Sequence, residues 1–186
     1  MQKIIDGGMF DSTSVVETVD GFPRGDKAVD AAFFARMMRC FYRDGVLCPT
    51  EGAFAVVPAS GGITVQVRPG IAWIGGRMAY LDEAASFALT AGHLYTVTLR
   101  MDLDLRRFTI EVEEDTGVAP LRTETITELL LARVNIPMNA TAVTTAMITD
   151  KRTDKTVCGA VDSVMEALQS VAYAANSGAV GGLTAD

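Results

Sequence analysis

The stretch GITVQVRPGIAWIGGRMAY, Gly62 to Tyr80, decides the fold. Ile63, Val65 and Val67 alternate with Thr64, Gln66 and Arg68, the period of two expected of a strand with one buried face. Pro69-Gly70 breaks the run and suits a type II turn, because Pro presets φ at the first central position and Gly tolerates positive φ at the second. Ile71 to Ile74 is a second apolar run, Gly75-Gly76 is a two-residue hairpin signal, and Arg77 to Leu81 returns. Three short strands joined by two turns are expected here.

Outward from this stretch the β pattern continues. Phe54 to Pro58 and Ala84 to Leu89 read as flanking strands. The clearest hairpin follows. Tyr95, Val97, Leu99 and Met101 share one face, opposite Thr96, Thr98 and Arg100. After Asp102-Leu103-Asp104 the chain returns with Arg106, Phe108, Ile110 and Val112 on one face and Arg107, Thr109, Glu111 and Glu113 on the other. Arg and Glu on the polar faces can pair across the strands. Glu124 to Ile136 suits either a strand buried on both faces, given Leu129-Leu130-Leu131, or a short helix; Val134, Ile136 and Pro137 favour the strand. Thr144 to Met147 is expected to form one helical turn, with a short extended piece from Ile148 to Arg152.

Helical signals lie at the two ends. Asp26 can cap a helix in which Val29, Phe33, Met37 and Phe41 fall every fourth residue, an apolar stripe that implies a core face, with Arg36, Arg39 and Arg43 off its centre and Gly45 as the stop. From Cys158 to Asn176 there is no Pro and one Gly, and Val161, Val164, Leu168, Val171 and Ala175 are spaced 3, 4, 3, 4, an a/d seam over two heptads. So short a helix needs a partner, either its own domain or other copies in a coiled coil. The organisation expected is an extended arm over residues 1–25, with one strand near Ser14 to Val19, a helix plus β domain over 26–157, a helix or stalk over 158–176 and a disordered Gly/Ala-rich tail over 177–186. The fold class is mainly β, built of antiparallel hairpins in a sandwich-like arrangement with one N-terminal and one C-terminal helix.

With 49% hydrophobic and 21% charged residues in 186, the chain can bury a core. Its net charge of −7 and lack of clustered Lys and Arg argue against nucleic acid as a partner. No window approaches the ~20 apolar residues of a membrane span. The N-terminal MQKIIDGGMFDS lacks the continuous apolar core of a secretory signal, so a chain made and left in solution is expected. Cys40, Cys48 and Cys158 match no zinc spacing and suit free, mostly buried thiols, with a Cys40–Cys48 disulfide as the alternative.

Catalytic chemistry has little to stand on. His93 is the only imidazole and sits in a turn context; Asp102 and Asp104 bracket a hairpin turn, with too few neighbouring oxygens for calcium; the paired glycines lack the spacing and Lys of a phosphate loop. No metal or cofactor is expected. Trp73 sits in an apolar run and suits a core position, although it is also able to stack on a sugar.

Four segments resemble one family. KAVDAAFFARMMRCFYRDGVL, residues 27–47, is similar to the short helix and "dGV" turn near the start of certain phage structural proteins. VRPGIAWIGGRMAY resembles their "v.pG.awi.G..y" hairpin and TVTLRMDLDLRRFTIEV their "vvLRlDl..R.i.l.v" hairpin. ELLLARVNIPMNATAVTTAMITDKRTDKTVCGAV is similar to their strand, loop and "ItDtR.d...CG.v" ending. The four lie in the family's order. The family is that of baseplate and receptor-binding-type tail proteins of phages and prophages of Gram-positive bacteria. The resemblance implies a β-rich module, usually trimeric and without enzymatic activity, that attaches a distal fibre or receptor-binding part to the tail tip. It implies other tail and baseplate proteins as partners and the virion tail as location, after synthesis in the host cytoplasm. No distal β domain lies within the 186 residues, so host binding is expected on another chain or on a further part of this one. The alternative function is a carbohydrate-binding module for cell-wall sugars, which needs exposed aromatics at Trp73, Tyr80 and Tyr95. A small hydrolase, the third reading, needs a cleft holding two carboxylates about 5–10 Å apart.

Overall fold

The computed structural model describes residues 1–5, 7–8, 18–19, 22–23 and 31–161. Strands β1 (Gln2–Ile5), β2 (Gly7–Gly8), β3 (Thr18–Val19) and β4 (Phe22–Pro23) precede helix α1 (Ala31–Phe41). Then come β5 (Gly45–Leu47), β6 (Val56–Pro58), β7 (Thr64–Val67), β8 (Gly70–Ile74), β9 (Arg77–Leu81) and β10 (Ala85–Ala88). The long strands β11 (Leu94–Asp102), β12 (Arg107–Glu114) and β13 (Ile126–Asn135) follow, with β14 (Ile148–Asp150) and β15 (Ala160–Val161) last. The fold is mainly β. One five-stranded sheet runs β1-β12-β11-β13-β14, a second runs β15-β5-β8-β9-β2, and a three-stranded sheet runs β10-β7-β6. All pairings are antiparallel except β15 with β5.

The alternation read from the sequence positions the core. Val97, Leu99 and Met101 of β11, Phe108, Ile110 and Val112 of β12, and Leu129 and Val134 of β13 point inward from the first sheet. They meet Val46, Ala72, Ile74, Ala79 and Leu81 of the second sheet and Val65, Val67 and Phe87 of the third in one continuous cluster. In β13 the register shifts between Val97 and Thr98 of its partner: Val97 faces Ala132 and Thr98 faces Leu130, leaving Leu131 as the extra residue of a bulge. The bulge explains the triple leucine. Leu130 lies on the outer face, while Leu129 and Leu131 both enter the core.

The central stretch departs from expectation at one turn. Gly75 and Gly76 have φ of 60° and 75° and close the β8–β9 hairpin as read. Pro69-Gly70, however, is not a type II turn. Gly70 keeps negative φ and opens β8, and the segment carries the chain from the three-stranded sheet into the second five-stranded one. Glycine is needed there for proximity, since a Cβ would come within 2.6 Å of the Phe54 backbone nitrogen.

Both ends also differ. The first residues are part of the main sheet: β1 pairs with β12 from Gln2↔Glu111 to Ile5↔Phe108, and the Met1 ammonium donates to the Val112 carbonyl. The strand expected near Ser14 to Val19 is described only as β3, which pairs with β4. The start of the first helix at Asp26 lies outside the described residues. Its end comes at Phe41, with Gly45 serving as the first residue of β5 rather than as a helix stop. The C-terminal helix does not begin at Cys158. Gly159 adopts φ 99°, and Ala160 and Val161 form β15, with Val46 N–H donating to Gly159 O and Cys48 N–H to Val161 O. Val164, Leu168, Val171 and Ala175 lie outside the described residues, as does the tail after residue 176. Among the described residues there is one α-helix.

Candidate interaction surface

The second sheet has two apolar faces, and only one of them is in the core. Ala72, Ile74, Ala79 and Leu81 point inward and are buried. Ile71 and Trp73 of β8 and Met78 and Tyr80 of β9 therefore point outward, in the pairs Ile71↔Tyr80 and Trp73↔Met78. Leu47 of β5 and Val161 of β15 extend the Ile71 row to the sheet edge. Ile71 is 41% exposed and Met78 38%, with Leu47, Trp73, Tyr80 and Val161 half-buried. Tyr42 stacks on Trp73 with ring centroids 4.9 Å apart and planes within 4°.

Helix α1 borders this face. Ala35 is its buried contact, seated so close to Gly76 that a Cβ there would overlap the Ala35 carbonyl. Of the stripe expected to be core, Met37 is 39% and Phe41 72% exposed, and the Phe33 side chain lies outside what is described. The periodicity was that of an amphipathic helix, and burial falls instead on the Ala35 side, because the glycine turn admits only a small residue. Val29 of that stripe lies outside the described residues. Arg36, Arg39 and Arg43 are all exposed. Residues 31–43 thus hold three arginines and no acid in a chain of net charge −7.

A clasp holds the second sheet to the rest. Arg152 is buried; its Nη1 donates to Pro49 O at 2.8 Å and Ala53 O at 2.6 Å, and its Nε and Nη2 reach Asp150, the latter at 2.6 Å. Partial burial pushes the Asp150 carboxyl up, but the hydrogen bonds and charge of Arg152 outweigh it and hold the carboxyl below its usual value. Asp154, half-buried, accepts from the Thr156 side chain and backbone and from Lys151, which bring it down to about 2. Burial pushes the Cys158 thiol up to about 12.

The outer face of the first sheet carries a cleft of about 250 Å³, lined by Thr96, Thr98, Arg100, Glu113, Glu114 and Glu128 and by the loop after β12. Arg100 Nη1 lies 3.2 Å from Glu111 and 3.4 Å from Glu128. Glu111 also accepts from Gln2 and Thr109, and Glu128 accepts from Leu121 N–H. One guanidinium thus joins two carboxylates already engaged as acceptors, an arrangement that ties strands and loop together and is poorly suited to acid–base work. The Arg–Glu pairing across strands is present as read.

The remaining candidates are dispersed. His93, half-exposed, pairs with Glu114 at 3.0 Å. Asp102 Oδ1 accepts Leu105 N–H in its hairpin turn. All three cysteines are free, and Cys40 is exposed rather than buried. No group of three His, Cys, Asp or Glu among the described residues is placed to hold a metal, and no helix among them is long and apolar enough to cross a membrane. Of the three aromatics required by sugar binding, Tyr95 is buried with its hydroxyl accepting Thr90 N–H, a correction to that set; Trp73 and Tyr80 remain on the outward face.

No protein-family model matches the chain, and no curated protein matches it.

The surface that stands out is therefore the outward β5–β8–β9 face with α1. Sequence reasoning set its arginines off the apolar stripe of the helix and gave Trp73 a core position, with Trp73 and Tyr80 exposed only under the sugar-binding alternative. A signal was present: β8 and β9 read GIAWI and RMAYL, apolar on both faces, the pattern of a sheet covered on both sides.

Proposed function

We propose that this chain is a structural assembly protein: a tail or baseplate component of a phage or prophage particle that attaches a distal fibre or receptor-binding part to the tail tip. It performs no catalysis and works by burying apolar surface between chains, at roughly 25 cal/mol per Å² before the costs of association. The observation that carries this reading is the outward face of β8 and β9. Ile71, Trp73, Met78 and Tyr80 form a contiguous apolar patch with Tyr42 stacked on Trp73 at its border, and such patches mark interaction sites. The resemblance also falls on structural joints: the Gly75-Gly76 turn, the β11–β12 hairpin and the Asp150–Arg152 clasp, as a shared scaffold requires. Copies associate as a homotrimer, with the C-terminal seam of Val164, Leu168, Val171 and Ala175 among the contacts and Val161 at its root in β15. The virion tail is the expected location.

The test is location. Antibody raised against the chain and applied to particles released by the producing bacterium should label the distal tail end, and the chain should appear in the particles' protein complement. Particles that lack it contradict the proposal.

A further inference from the structure

The outward face has an occupant that the chain itself can supply. We propose that it seats residues 162–176 of a neighbouring copy, each copy passing this segment to the next until the ring closes. The inference rests on the self-assembly reading above and names the partner of that same face.

Three observations support it. The first is chemistry. Residues 162–186 contain Asp162, Glu166 and Asp186 and no Lys, Arg or His, whereas residues 31–43 beside the patch contain Arg36, Arg39 and Arg43 and no acid. An apolar stripe with acidic flanks meets an apolar patch with a basic border, the complementarity that fixes register and partner choice. The second is size. A 15-residue helical segment is about 22 Å long. The face from β15 across β5 and β8 to β9 is about 14 Å wide. A helix of that length is long enough to cross the whole patch. The third is where the segment starts. Val161 sits at the sheet edge, in a strand parallel to β5, and β5 runs away from the end of α1. From Ala160 to Ser177 there is neither Gly nor Pro to reverse the chain onto the face it has just left. A head-to-tail contact of this kind is heterologous, and it makes a ring where the rotation between copies closes.

The experiment uses the full chain in a Cys40→Ser background carrying Met78→Cys and Leu168→Cys. Mild oxidation should give bands at two and three times the monomer mass on a non-reducing gel, and neither single variant should give them. A bridge formed only within one chain, or none at all, overturns the inference. A second arm does not depend on the bridge. Asp162→Arg with Glu166→Arg should weaken self-association at least about tenfold, and Arg36→Glu with Arg43→Glu in the same chain should restore it. Failure of rescue overturns the charge pairing. Co-sedimentation with phosphatidylserine vesicles, lost in the Arg36→Glu, Arg43→Glu variant, would assign these arginines to a lipid surface instead and overturn the inference. A wild-type trimer without the bridge fails this inference and leaves self-assembly standing, whereas a wild-type monomer at every concentration fails self-assembly itself.

Discussion

Arg152 satisfies two backbone carbonyls, at Pro49 and Ala53, that lie about a hundred positions away in the chain, and it does so from a buried site. Arg152→Met should therefore cost about 1–3 kcal/mol in urea unfolding, since it strands the Ala53 carbonyl and leaves Pro49 O with only the Gly52 N–H, whereas Asp150→Asn, at an exposed carboxylate, should cost less. The same clasp sets an acid limit. Asp150 and Asp154 both have lowered values in the folded chain, Asp154 about 2 against 3.8. Stability from such groups is complete above their unfolded values, near pH 4, and is lost as pH falls toward the folded ones. Unfolding midpoints should drop between about pH 4 and pH 2, and less steeply in an Asp150→Asn, Asp154→Asn variant; an identical slope would contradict the assignment. The cysteines separate by burial. Cys40 should react with a thiol reagent in the native protein and Cys158 only on unfolding, and Cys40→Ser should remove the fast phase. At this scale the sequence was readable where chemistry is local: the Gly75-Gly76 turn and His93 in its loop. Arg152 was visible only as part of a resemblance, because its partners at residues 49 and 53 are brought to it by the fold.

Among elements, β11 and β12 were legible because apolar and polar residues alternate in their sequence over eight or more positions, whereas β13, open between strand and short helix, was read as a strand from Val134, Ile136 and Pro137. The Leu129–Leu131 run was legible as a strand but not as a bulge, since the register shift exists only against β11. Helix α1 was found and its buried side misjudged, because the residue that docks is Ala35, the least hydrophobic position of the helix's apolar set. Phe41→Ser should thus change unfolding free energy by no more than about 0.5 kcal/mol, where a core phenylalanine would cost about 3–5 kcal/mol. Gly70→Ala should cost about 2 kcal/mol through its approach to Phe54, although the sequence suggested a turn glycine for a different reason. Equal thermal stabilities of the Phe41 and Gly70 variants would contradict both packings. β15, at the start of the segment read as helix from Cys158, was not legible, because it is only two residues long and its partner β5 lies more than a hundred positions back.

Among the described residues, hairpins supply most of the framework and long-range contacts close it, including β1 on β12, β2 on β9, β15 on β5, and Arg152 on the segment before β6. Core residues were largely predictable from alternation, but which apolar surfaces would stay uncovered was not, because composition counts apolar residues without saying where they face. The outward side of the second sheet is the result. Its exposed pairs, with the arginines of α1, are what make a self-associating structural part the best account of this chain. The direct test is the solution mass of the full chain by light scattering, compared with a chain ending at Val161, which keeps β15 intact. The account predicts three copies for the full chain and loss of that state on truncation. A single copy for the full chain, unchanged by truncation, would contradict it.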